Sequence, residues 1–311
     1  MNENEHTPVL LKEVLEGLNL RPDGFYVDCT FGRGGHSRAL LQALGSSGRL
    51  LVFDKDYSAI EHAKKIFEND ARVICIQGSF TALISTVEQL NMLGQVDGVL
   101  FDLGVSSPQL DNAEYGFSFL RDGKLDMRMD RTAGISAADW LNSASQAEIE
   151  KVIRDYGEER FARRIARAII KARDEAPITH TVQLARIITE AVPTVERNKH
   201  PATRTFQALR IHVNKELDEL KTVLNQILSV LRPGGRLAVI SFHSLEDRIV
   251  KQFMQKEAKG DNFPPEIPVT AREIAPRFRI VKKAIKPGSE EVQKNQRARS
   301  AILRIGEKLA A

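Results

Sequence analysis

Tyr26-Val27-Asp28-Cys29-Thr30-Phe31-Gly32-Arg33-Gly34-Gly35-His36 is the stretch whose reading decides the fold. A short apolar run ends in a carboxylate and turns through three glycines, and an apolar-periodic segment begins at Ser37. That order is strand, glycine-rich loop, helix. Glycine lets the backbone turn sharply and approach a ligand with no Cβ in the way. The loop delivers the ligand to a helix N-terminus, where free N–H groups point outward. A second strand, Leu50-Leu51-Val52-Phe53, ends in Asp54, twenty residues after Gly34. A carboxylate there accepts hydrogen bonds from both hydroxyls of a ribose. The stretch predicts a holder for an adenosine-type ligand.

Outward from it, the chain alternates strands and helices. Val9, Leu10, Val14, Leu15 and Leu18 give residues 7–20 a helical spacing, and Arg21-Pro22-Asp23-Gly24 is a turn before the first strand. Residues 58–67 read as a helix, 72–76 as a third strand, 81–93 as a helix, and 96–101 as a fourth strand closed by Asp102. This rhythm predicts an α/β fold with a parallel, doubly wound sheet. It stops at about residue 109. Helical patterns follow at 146–156, with Gly157 as a stop, and at 158–173. Another is capped by Thr181 and runs to Ala191, and a fourth starts near Thr205. A helix at 215–231, the tight turn Arg232-Pro233-Gly234-Gly235 and a strand at 236–241 restore the rhythm, and strands near 278–281 and 301–305 complete the sheet. The expected organisation is a discontinuous core, 1–108 plus 213–311, with a helical insertion at 109–212.

Of the 311 residues, 42% are hydrophobic and 28% charged, which is ordinary for a globular protein. A net charge of +4 argues only weakly for a polyanionic partner, so local clustering has to carry that case. Cys29 and Cys75 sit in apolar runs and read as small buried hydrophobes, with no disulfide framework and no metal-ligand spacing. The polar, acidic start Met1-Asn2-Glu3-Asn4-Glu5-His6 does not read as a secretory signal, and no apolar run has the length of a membrane span. The expectation is a soluble, cytoplasmic protein.

The glycines leave the ligand open. A nicotinamide dinucleotide favours Gly-x-Gly-x-x-Gly or Ala, and Ser37 stands at the third small position. S-adenosylmethionine fits better on three features. Asp28, before the loop, is placed to meet its amino group directly or through water. Gly78-Ser79-Phe80 can flank an adenine. Leu231-Arg232-Pro233-Gly234-Gly235-Arg236-Leu237 is a turn typical of methyltransferases.

The chain resembles the bacterial ribosomal small-subunit methyltransferase H family, also called MraW. The motif Asp28-x-Thr30-Phe31-Gly32-Arg33-Gly34-Gly35-His36-Ser37 carries the resemblance, with residues 101–110 and Gly116-Phe117-Ser118-Phe119. Residues 125–130, Tyr156-Gly157-Glu158-Glu159-Arg160, 200–210, 241–248 and Arg297-Ala298-Arg299-Ser300 extend it along the chain. The resemblance implies a class I Rossmann-like S-adenosylmethionine-dependent methyltransferase sheet with an inserted α-helical domain. It implies methylation of N4 of a cytosine in the decoding region of 16S rRNA, on the small ribosomal subunit. It also implies cofactor contacts at Gly34, Gly35, His36, Asp54, Phe80, Asp102 and Gln109.

Methyl transfer to that amine needs in-line alignment of nitrogen, methyl and sulfur. The nitrogen shares its lone pair with the ring, so an acceptor must take a hydrogen bond from its N–H. Acceptors belong after the fourth strand, at the carboxyl edge of the sheet. Asp102, Ser107 Oγ and a backbone carbonyl held by Pro108 are the candidates, with Tyr115, Phe117 or Phe119 for base stacking. His243, past the fifth strand, is a candidate proton acceptor, although the cationic product sheds its proton easily.

For RNA, Arg160, Arg163, Arg164, Arg167 and Lys171 form a basic stripe at helical spacing. Lys199, His200, Arg204 and Arg210 add a second basic group. Residues 272–304 hold ten Lys/Arg against three Asp/Glu. Such charge positions phosphates and does not read sequence. The expected partner is 16S rRNA, with no membrane and no metal, in a monomer or homodimer. Alternatives are another nucleic-acid base-amino or protein amine methyltransferase, an NAD-dependent oxidoreductase on the same fold, and a non-enzymatic RNA-binding assembly factor.

Overall fold

The computed structural model describes residues 8–194, 200–260 and 276–310. Met1 to Thr7, Lys199 and Arg272 lie outside them. In chain order the elements begin α1 (Leu11–Leu18), β1 (Phe25–Asp28), α2 (Gly35–Ala43), β2 (Arg49–Asp54), α3 (Tyr57–Ile66), β3 (Val73–Gln77), α4 (Leu83–Gln89) and β4 (Val96–Asp102). Six helices follow: α5 (Ser107–Asp111), α6 (Ala137–Ser143), α7 (Gln146–Gly157), α8 (Ala162–Glu175), α9 (Thr181–Ala191) and α10 (Thr203–Asn214). The chain then continues through α11 (Glu216–Val230), β5 (Leu231–Ser241), α12 (Ser244–Lys259), β6 (Phe278–Ile285), α13 (Ser289–Lys294) and β7 (Ile302–Lys308). No helix among the described residues is long and apolar enough to cross a membrane.

The chain forms two compact units, Met1–Gly104 with Leu217–Ala311, and Val105–Glu216. In the first unit the seven strands run β3-β2-β1-β4-β5-β7-β6. β1 to β5 are mutually parallel, and β7 lies antiparallel between β5 and β6. This is a Rossmann-like, doubly wound sheet with an antiparallel edge. Side-chain alternation explains its two apolar faces. Phe25, Val27, Leu51, Phe53, Val99, Phe101, Leu237 and Val239 pack on one face with α11. Tyr26, Leu50, Val52, Leu100, Ala238 and Ile240 pack on the other with α1 and α2. Burial on both sides is why these strands read as continuous apolar runs.

The second unit has its own core, in which Leu141, Ile149, Ile153, Ile165, Ile169, Leu184, Ile188, Phe206 and Leu209 are buried. Among its described residues the only β-type pairing is an isolated bridge between Lys124 and His180.

Several element ends differ from the sequence reading for local reasons. The first helix is shorter because Leu10 and Asn19 adopt left-handed conformations at its two ends, φ 53 and 51. The helix expected over 81–93 is a 3-10 turn, Phe80–Ala82, followed by α4. Thr181 does not cap α9. It is the first helical residue, and its Oγ1 donates to the Arg121 carbonyl at 3.2 Å. The Arg232–Gly235 turn is absorbed into β5 as a bulge, because Val96 pairs Leu231 while Gly98 pairs Arg236. Gly157 is the last residue of α7, and the left-handed stop is Glu158, φ 48. Gly157 is small for another reason: an added Cβ would sit 2.8 Å from the Arg204 carbonyl of α10.

Candidate functional site

Gly32, Gly34, His36, Asp54, Phe80 and Asp102 all follow or end β1 to β4, on the carboxyl side of the sheet. β1 lies between β2 and β4, so the loop after β1 opens at the point where the strand order reverses. Crevices for ligands form there in open α/β sheets.

The loop is held by its own carboxylates. Asp28 Oδ1 accepts from Thr30 N at 3.1 Å, and Oδ2 accepts from Ser37 Oγ at 2.6 Å. Burial pushes the Asp28 carboxyl up, although the Ser37 hydroxyl opposes the shift. Asp28 is 1% exposed and ties the loop to α2. Thr30, which the sequence reading passed over, accepts from Asp102 N at 2.6 Å through its Oγ1. One hydroxyl thus joins the loop after β1 to the end of β4. Its only signal in the sequence is its place two residues after Asp28.

Gly34 precedes α2 with φ 75, and an added Cβ would meet the Phe31 ring at 2.6 Å. Only glycine occupies that place without strain. Asp54 Oδ2 accepts from Gly32 N at 2.8 Å, and Oδ1 accepts from Asp56 N at 2.9 Å. Burial pushes the Asp54 carboxyl up to about 6 against the pull of these two N–H groups. The Phe80 ring packs edge-on against Phe101, with centroids 5.3 Å apart.

His36 is buried and its Nε2 lies 3.6 Å from Asp102 Oδ2. Burial lowers the His36 pKa, but the carboxylates of Asp102, Asp28 and Glu291 together outweigh it, Asp102 foremost, and the net shift is upward. Asp102 Oδ1 is buried with no hydrogen-bond partner among the described residues. The cradle is therefore rich in carboxylates. Its N–H groups at Gly32 and Gly34 are already donated to Asp54 and to the Phe31 carbonyl. Such a loop suits a ligand with ribose hydroxyls and positive charge better than a pyrophosphate.

In the second unit, Ser106 caps α5 and its N–H donates to Gln109 Oε1 at 2.9 Å. Gln109 is buried, so its side chain serves this turn. Ser107 and Pro108 occupy the first turn, where Pro costs no hydrogen bond. The Pro108 carbonyl accepts from Asn112 N at 2.9 Å. The aromatics expected for base stacking contact other rings. Tyr115 and Phe117 are buried and stacked on each other, and Phe119 lies 4.5 Å from the His200 ring.

Arg163, Arg164, Arg167 and Lys171 are exposed on one side of α8, while Ala162, Ile165, Ala166 and Ile169 are buried on the other. Arg160 is also exposed but precedes the helix, where it donates to Thr194 Oγ1 at 2.7 Å. Arg204 faces the buried Glu159 at 3.9 Å. Arg210 forms a two-pronged pair with Glu216, at 2.9 and 2.8 Å, so its charge is spent within the unit. Arg304 is spent likewise on Asp247, at 2.7 and 2.9 Å. His243 is the N-cap of α12, with Nε2 3.1 Å from Glu246 Oε1.

A family model described as the MraW methylase family matches residues 3–309. The ribosomal RNA small subunit methyltransferase H of Legionella pneumophila (strain Paris) is 56% identical over 306 residues, covering 98% of this chain and 99% of the relative. The protein of that name from the Philadelphia 1 strain matches to the same extent. A crystallised rRNA methylase from Streptococcus thermophilus aligns over 96% of this chain and 94% of its own, at 13% identity and a TM-score of 0.39.

Proposed function

Because the chain belongs to the MraW methylase family, we propose that it transfers a methyl group from S-adenosylmethionine to N4 of a cytosine in the decoding region of 16S rRNA. The name of the Legionella relative supports the small-subunit rRNA substrate. The observation that carries the cofactor is the set of carboxylates at the loop, with Asp102 Oδ1 buried and unpartnered. An oxygen of that kind suits a cationic ligand and repels the pyrophosphate of a nicotinamide dinucleotide.

The cofactor supplies an electrophilic methyl on a sulfonium. Asp54 accepts from the ribose hydroxyls, Phe80 flanks the adenine, and Gly34, Gly35 and His36 shape the loop around the methionine end. Asp102 accepts from a cationic or N–H group beside it. Ser107 Oγ takes a hydrogen bond from the cytosine amine and draws its lone pair out of the ring. Pro108 restrains that turn, and Gln109 fixes it through Ser106. The unit Val105–Glu216 serves as the substrate-recognition domain, with the α8 stripe on RNA phosphates. The protein acts in the cytoplasm, as a monomer or homodimer.

The test is incubation with labelled S-adenosylmethionine and, separately, small subunits, free rRNA, DNA and protein, followed by nucleoside mapping. N4-methylcytidine from small-subunit rRNA is expected. Label confined to DNA or protein, or placed on a different base atom, overturns the proposal.

A further inference from the structure

One carboxylate holds two ligand loops of the first unit at once. Glu219 Oε2 lies 2.7 Å from Lys55 Nζ and accepts from Ser79 Oγ at 2.8 Å. Lys55 immediately follows Asp54, and Ser79 immediately precedes Phe80. Both neighbours are therefore the side chains assigned to the ribose and the adenine. The contact is shielded, with Lys55 17% and Glu219 18% exposed. An ion pair so placed is stronger than a surface pair.

Each end transmits the restraint. Ser79 Oγ also accepts from Thr81 N at 3.1 Å and from Thr81 Oγ1 at 3.0 Å, which sets the turn that carries Phe80. Asp54, next to Lys55, is tied at both oxygens to Gly32 N and Asp56 N. Glu219 itself stands in the first turn of α11, where the helix dipole favours a carboxylate. Leu220, Val223, Leu224 and Ile227 anchor α11 in the core under the sheet. The two loops are thus referenced to a rigid helix.

We propose that Glu219 is a positioning residue for the adenosine half of the methyl donor. By holding Lys55 and Ser79 together it sets the spacing of the Asp54 carboxylate and the Phe80 ring before the ligand arrives. The inference rests on the assignment of Asp54 and Phe80 to that half. Loops already in place lose little freedom on binding, so the benefit lies in affinity. It does not lie in the transfer step itself.

The experiment is calorimetric titration of the full chain with S-adenosylhomocysteine and with 5′-methylthioadenosine, which lacks the amino acid. Variants are Glu219→Gln, Lys55→Met and Ser79→Ala. Both ligands should bind on the order of tenfold more weakly to the first two, and about threefold more weakly to the third. The KM for S-adenosylmethionine should rise in step, with kcat at saturating cofactor within about twofold. The double variant Lys55→Met/Glu219→Gln should be no weaker than the worse single variant, because both singles already break the Lys55–Glu219 pair. Unchanged affinity in variants that fold, including variants that only melt earlier, overturns the inference. If Glu219→Gln does not fold, Lys55→Met and Ser79→Ala decide by the same criterion. A wild-type chain that binds neither ligand instead overturns the cofactor assignment beneath it.

Discussion

His36 Nε2 lies 3.6 Å from Asp102 Oδ2, joining the first turn of α2 to the end of β4. The pair raises the His36 pKa above its ordinary 6.5, although burial opposes it. A raised histidine stabilises the fold fully below about pH 6.5, and that contribution is lost as pH rises through the folded value. Asp102→Asn should therefore destabilise the cofactor-free protein by about 1 kcal/mol at pH 5.5 and by less at pH 9. Urea unfolding at the two pH values checks this; a difference independent of pH removes the pair from the account.

Asp54 carries its own pH dependence. Its carboxyl is pushed up to about 6 by burial, so it is ionised above that pH and neutral below. An ionised carboxylate accepts from both ribose hydroxyls. S-adenosylhomocysteine should bind more weakly as pH falls through about 6. Asp54→Ala should lower affinity about 10- to 100-fold at pH 8. Calorimetry across pH 5 to 8 measures both effects, and a flat profile argues against Asp54 as the ribose acceptor.

Ser107 tests the chemistry apart from cofactor binding. Ser107→Ala should reduce kcat about 10- to 100-fold on small-subunit substrate and leave cofactor affinity within about twofold. Single-turnover methylation with quenched time points reads the transfer step directly. An unchanged rate would leave Ser107 as a helix-start residue only.

The α8 stripe is exposed, so its removal should spare the fold. Replacing Arg163, Arg164, Arg167 and Lys171 by Ala should change stability by no more than about 0.5 kcal/mol. If each meets a phosphate, the log–log salt dependence of RNA affinity should become shallower by roughly three units. Fluorescence anisotropy at several salt concentrations supplies the slope. An unaltered slope places the RNA elsewhere.

The strands and the glycine loop were legible because their signals are local: apolar runs at β1 to β4, glycine at a positive φ, a carboxylate at a strand end. Asp54 and Phe80 stand out by the same logic, at or just after a strand end. The depth of Asp28 was not legible, because it depends on Ser37 and on packing and not on its place at a strand end. Gly157 read as a helix stop, yet its requirement comes from the Arg204 carbonyl, 47 positions away in the chain. Arg210 and Arg304 looked like free positive charge until Glu216 and Asp247 were brought beside them. Glu219 was invisible for the same reason, since its partner Ser79 lies 140 residues earlier. Pairings of that length leave no periodic trace.

The position of β5 has a consequence for how the protein is made. β4 must pair with β5 in register, Val99 opposite Leu237, which stands 138 positions further along the chain. During synthesis β1 to β4 therefore emerge long before the strand that covers β4. Throughout that interval β4 is an open, apolar edge of the kind that recruits other strands. Closing so long a loop also slows the search for native pairing. Nascent chains that end before residue 231 are thus the species most exposed to aggregation and most dependent on chaperones.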